Sequence, residues 1–135
     1  MIKIILSVLL APIIIQIIKT ILNTFKTKKL NLRDLYNTGG MPSSHSALVT
    51  ALATGIFFYE GWSTSFIISL VFAGIVIRDA LGVRLTVGRE GEEIKKLLKK
   101  HHLKSKYEFA KGHTPFQATV GGILGILIAV LIYLL

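Results

Sequence analysis

The stretch "IKIILSVLLAPIIIQIIKTIL", residues 2–22, constrains this chain more than any other feature. About 20 apolar residues in helical form match the thickness of a bilayer's hydrocarbon core. A secretory signal has a shorter apolar centre and a small-residue cleavage site, so the run reads as a retained helix. Three further apolar runs follow, at about Ser43–Tyr59, Ser63–Ile77 with an extension to Leu81, and Pro115–Leu135. A 135-residue soluble domain has too little interior to bury all four. The mean hydropathy of +0.64 agrees. The expected fold is therefore an all-α integral membrane protein of about four transmembrane helices, forming a single domain over residues 1–135. The second run is short and diluted by Ser and Thr.

The net charge of +9 suggests nucleic acid until its distribution is considered. Of 16 Lys and Arg residues, five lie between Lys19 and Arg33 and ten between Arg78 and Lys111. Basic clusters alternating with apolar runs follow the positive-inside rule, not the basic stripe of a nucleic-acid surface. Both clusters are then cytoplasmic loops (23–42 and 82–114), and both termini and the Glu60–Gly61 turn lie outside. The location implied is the cell membrane, with several passes. Tyr59 and Trp62 stand at interface depth. In the second loop, Ile94, Leu97 and Leu98 suggest a short amphipathic helix with a basic face. It lies on the anionic inner leaflet, or the segment is a solvated charged loop.

The chemistry concentrates at the cytoplasmic ends. "GGMPSSHSAL", residues 39–48, opens the second helix, with Ser43 or Ser44 as its N-cap. Gly40 permits close backbone approach. A helix N-terminus attracts anions, and His45 stands in its first turn. Gly, Pro and Ser also serve any ordinary helix start. "KGHTPFQ", residues 111–117, repeats the pattern, with Thr114 as N-cap, Pro115 at N1 and His113 just before. The third helix brings Arg78 and Asp79 to the same face, with Arg84 close behind. Arg forks match phosphate oxygens. The alternative is snorkelling, with Arg78 at the headgroups and Asp79 as its partner. Lys19 on the first helix reaches the same site or snorkels. No Cys is present, and His101, His102 and His113 lack carboxylates at ligand spacing, so no metal site is expected.

"GGMPSSHSALVTALATG", "DALGVRLTVG" and "GHTPFQATVGG" resemble the divergent branch of the type 2 phosphatidic acid phosphatase and vanadium haloperoxidase superfamily. The superfamily carries K-x6-R-P, P-S-G-H and S-R-x5-H-x3-D, and cleaves phosphate monoesters through a phosphohistidine without metal. Pro42-Ser43-Ser44-His45 matches P-S-G-H, whose His protonates the leaving oxygen. Arg78-x5-Arg84 has Arg where the nucleophilic His belongs, and His113-x3-Gln117 has Gln in place of Asp. The last motif therefore reads as split. Arg78 or Arg84 binds phosphate, His113 attacks and Asp79 supplies the missing carboxylate. Lys26-x6-Arg33 fits the first motif's spacing, with Asp34 in place of Pro.

The resemblance implies a cofactor-free phosphatase acting on a lipid or prenol phosphate. Its catalytic residues would be His113, His45 and Asp79. Arg84, Arg78, Ser43, Ser44, Lys19 and Gly40 would bind substrate. A lipid phosphotransferase and a non-catalytic lipid-phosphate binder remain open. A bundle this thin also leaves room for a homodimer, although no residue pattern specifies an interface.

Overall fold

A computed structural model describes residues 1–27, 41–103 and 114–135, with no side-chain description at 26 and 27. Among the described residues all regular structure is helical: α1 (Ile2–Thr27), α2 (Ser44–Glu60), α3 (Thr64–Leu81), α4 (Val83–Lys100) and α5 (Pro115–Leu134). α1 runs five residues beyond the expected end at Leu22. Among the described residues three segments are long and apolar enough to cross a membrane: Ile2–Phe25, Thr64–Lys100 and Pro115–Leu134. The 18 residues of α3 extend about 27 Å at 1.5 Å per residue, close to a hydrocarbon core of about 30 Å.

α2 has 17 residues and occupies the centre, packed against α1, α3 and α5. Its inner face is made of small residues. Ala47 and Ala51 of α2 meet Ala11 and Ile15 of α1 and Ile128 and Ala129 of α5 in one buried cluster. The large side chains point the other way. Ile5, Leu9, Ile13 and Ile17 of α1, Ile68, Val71 and Ile75 of α3, and Ile123, Leu127 and Leu131 of α5 are all exposed. Small residues between helices and large ones outside is the arrangement expected in lipid, where close backbone approach replaces hydrophobic exclusion as the driving force.

The polar side chains agree. The hydroxyls of Ser7, Thr20, Ser69 and Thr119 donate to carbonyls of their own helices, at Lys3, Gln16, Phe66 and Pro115. Intrahelical satisfaction of this kind lets a hydroxyl sit where no water can reach it.

One end of the bundle is aromatic. Gly61 turns the chain between α2 and α3 at φ +66°, a left-handed conformation that suits glycine. Ser63 caps α3 by accepting the Phe66 N–H at 3.1 Å. The Phe57, Trp62 and Phe66 rings cluster there, with centroids 5.0–5.6 Å apart. At the same end the Lys3 Nζ donates to the Tyr133 carbonyl at 3.0 Å, joining the start of α1 to the end of α5.

The expected second loop differs from the structure. In place of a short helix around Ile94–Leu98, α4 runs for 18 residues and starts one residue after α3 ends. Gly82 breaks the two helices apart, its N–H bonded to the Arg78 carbonyl at 2.8 Å. Among the described helices α4 packs only on α3.

Candidate functional site

At the end opposite the aromatic cluster, the starts of α2 and α5 are tied together. Thr114 caps α5 by accepting the Gln117 N–H at 3.3 Å, and the Gln117 side chain accepts the Thr114 N–H at 3.1 Å. This reciprocal capping box satisfies two N–H groups that the helix ladder leaves over. The Gln117 carbonyl then accepts the Ser43 N–H at 3.2 Å. One residue thus closes the start of α5 and holds the start of α2. Its side-chain oxygen is committed to the cap.

Close approach is what makes the tie possible. A Cβ on Gly121 would collide with the Ser43 carbonyl oxygen and stand 2.9 Å from Ser43 N. One turn further, a Cβ on Gly125 would collide with the Ala47 carbonyl and the Thr50 hydroxyl. The Thr50 Oγ1 lies 2.9 Å from the Gly122 carbonyl across the crossing and 2.8 Å from the Ser46 carbonyl of its own helix, and its one proton serves either. Gly121, Gly122 and Gly125 form a small-residue seam of the type that brings two membrane helices into backbone contact. The Gly-x3-Gly spacing of Gly121 and Gly125 is the sequence signal for it.

Ser43 itself is fully buried. Its hydroxyl accepts from the Ser46 N–H at 3.4 Å and the Ser46 hydroxyl at 3.2 Å. With its N–H on Gln117 and its hydroxyl on Ser46, Ser43 serves as a buried cap of α2. Ser44 is the first residue of α2 and half-buried, and His45 follows it and is exposed.

Three charged groups from three other helices act on His45: Arg84 of α4, Asp79 of α3 and Lys19 of α1. Asp79 and Arg84 form an ion pair across the Gly82 break, with Arg84 Nε 2.7 Å from Asp79 Oδ2. The snorkelling alternative had assigned Asp79 to Arg78; the structure gives it to Arg84. Arg78 is exposed on the last turn of α3. Both members of the ion pair remain about half exposed, at 51% and 44% of their side-chain surface. Such a pair contributes little stability, and its guanidinium remains accessible to another anion. His113 and Gly40, together with Lys26 and Arg33 of the first-motif match, lie outside the residues whose side chains are described, and so do Gly39 and Asp34.

The arrangement is an open, polar face on one end of an apolar bundle. It offers a histidine, a lysine, an arginine held by a carboxylate, and two helix N-termini. Helix starts and Arg or Lys together suit a phosphate group.

The chain matches the model of the Divergent PAP2 family over residues 2–128. It belongs to that family. It is also similar to a Bacillus subtilis (strain 168) protein described as "Uncharacterized membrane protein YuiD", at 38% identity over 144 residues, covering 94% of this chain and 91% of the relative. The similarity to a membrane protein, together with the outward-facing apolar surface, makes this an all-α, multi-pass membrane protein. No solved structure matches the chain.

Proposed function

We propose that this protein is a membrane-embedded phosphohydrolase that cleaves a lipid or prenol phosphate monoester at the His45 end of its bundle. The observation that carries the reading is the Asp79–Arg84 ion pair, which with Lys19 bears electrostatically on His45, beside the joined starts of α2 and α5. The relation of the Divergent PAP2 family to the wider phosphatase and haloperoxidase superfamily is part of this proposal.

In this mechanism the substrate's tail lies in the acyl chains and its phosphate meets the polar face. Arg84, Arg78 and Lys19 hold the phosphoryl oxygens, with Ser44 beside them at the start of α2. Phosphoryl transfer needs mainly positioning and charge stabilisation. A ring nitrogen of neutral His113 attacks phosphorus, and the bond to the leaving oxygen breaks as His45 gives that oxygen a proton. Water then attacks the phosphohistidine and returns a proton to His45, releasing phosphate and restoring His113. Asp79 is the carboxylate placed to favour the protonated form of His45. It also holds Arg84 until the phosphate draws it over.

The test is phosphate release by the purified, detergent-solubilised protein over a panel of lipid and prenyl phosphates. Release is expected, insensitive to chelator and blocked by vanadate, which mimics the pentacoordinate phosphoryl group. Activity lost in EDTA and restored by a divalent cation would assign different chemistry.

A second reading has one observation in its favour. Gln117 occupies the superfamily's Asp position and its side chain is spent on capping. On that basis the protein binds lipid phosphate without hydrolysing it, or passes the phosphoryl group to another acceptor. Phosphate binding with no release across the panel would select the binder.

The proposal places four spans in the cell membrane, α2 included, with both basic segments cytoplasmic. Single Cys residues at Asn31 and Lys104 are then shielded from an impermeant thiol reagent in intact cells, while one at Gly61 reacts. Labelling of the first two from outside would reverse the orientation.

A further inference from the structure

α4 has no assigned task beyond carrying Arg84 in its first turn. It leaves the bundle at Gly82, and Gly91 is its only buried residue. Val83, Val87, Ile94 and Leu97 are nonetheless apolar and 46–65% exposed. With Glu90 they recur every four or three residues, so they share one face of the helix. The opposite face holds Arg89, Lys96, Lys99 and Lys100, with Lys95 at its margin and Glu92 and Glu93 among them. α4 carries six basic residues and three acidic ones.

We infer that α4 docks along the surface of an anionic phospholipid leaflet at the His45 end of the bundle. Two features select this occupant. The helix continues directly from α3, whose Ile68, Val71, Phe72 and Ile75 already face outward on the lipid side. The apolar stripe therefore begins where the lipid-facing surface ends. The charge excess is complementary to acidic headgroups, which attract basic residues near the surface individually. A second copy of the chain fits less well. Packing on this stripe would bury Glu90, which lies midway along it, and would leave the helix's excess of basic charge uncompensated. At headgroup depth the Glu90 carboxylate stays hydrated while its neighbours enter the acyl boundary.

The absence of Cys allows single-site labelling of the full chain. An environment-sensitive fluorophore is placed at Leu97→Cys, at Lys99→Cys, and at Leu131→Cys in α5, where it normalises for insertion. Each protein is reconstituted in vesicles of phosphatidylcholine alone or with about one-third phosphatidylglycerol, which imposes a negative surface potential. Lipids brominated in the acyl chain serve as quenchers. The Leu97 label is expected to shift to the blue and be quenched in the anionic vesicles, and much less in the neutral ones. The Lys99 label stays in water. Replacing Lys95, Lys96, Lys99 and Lys100 with Gln should remove the difference between vesicle types at Leu97. A Leu97 label that behaves like the Lys99 label overturns the inference in favour of a solvated helix. Equal quenching in both vesicle types, or self-quenching that grows with protein density, overturns it in favour of plain apolar insertion or a second copy. None of these readouts depends on phosphatase activity.

Discussion

His45→Ala is expected to slow phosphate release from an alkyl phosphate by roughly 10²–10⁴-fold, the usual worth of general acid catalysis. The loss should be much smaller with a nitrophenyl phosphate, whose leaving oxygen needs little protonation. His45 sits exposed in the first turn of α2, within electrostatic reach of Lys19, Asp79 and Arg84, so removing its imidazole takes away the assigned proton donor without opening a cavity. His113→Ala should behave differently. A nucleophile is required whatever the leaving group, so turnover of both substrates should be abolished. Assays of the two variants on both phosphates check the assignment. Equal losses for His45→Ala on the two substrates would make His45 a phosphate ligand, and full activity in His113→Ala would move the chemistry to His45 and the arginines.

The second large effect is structural. Gly125→Val should lower stability by about 3 kcal/mol or more, the upper end of what overpacking costs. Even the first added carbon meets the Ala47 backbone and the Thr50 hydroxyl, and a backbone carbonyl cannot rotate away as a side chain can. Gly122→Ala is the contrasting case. Its added Cβ would stand 3.5 Å from Thr50 Cγ2, an ordinary contact. Ala in place of a helical Gly also gains up to about 1 kcal/mol of intrinsic propensity. Gly122→Ala should therefore be neutral or stabilising. Unfolding midpoints in mild detergent measure both. Similar midpoints for the two variants would mean that the α2–α5 crossing is looser than the backbone contacts indicate.

How far the sequence could be read depended on whether a feature was local. The start of α5 was legible because a capping box is written in four consecutive residues, Thr114 to Gln117. The start of α2 was legible in the same way, from Ser43 and Ser44. The extent of α4 was not. Gly88, Gly91 and three glutamates give the segment the composition of a loop, and its regularity appears only when the apolar spacing is followed back from Leu97 to Val83. The Asp79–Arg84 pair was hidden for another reason. Residues five apart do not face each other on a continuous helix. They meet because Gly82 interrupts the helix between them. The tie from Ser43 to Gln117 joins residues 74 apart in sequence, and no pattern within either motif announces it. Gln117 looked like a departure from the phosphatase pattern, and its hydrogen bonds give it a physical role of its own.

The most direct test of the central proposal is to trap the phosphorylated protein during turnover of a lipid phosphate carrying a radioactive phosphoryl group. Phosphohistidine survives alkali and is lost in acid, which separates it from phosphoserine and acyl phosphate. The account predicts alkali-stable, acid-labile label on the wild-type chain, none on His113→Ala, and label still forming on His45→Ala when the leaving group is nitrophenol. Phosphate released with no such label on the chain, or label that persists in His113→Ala, would contradict it.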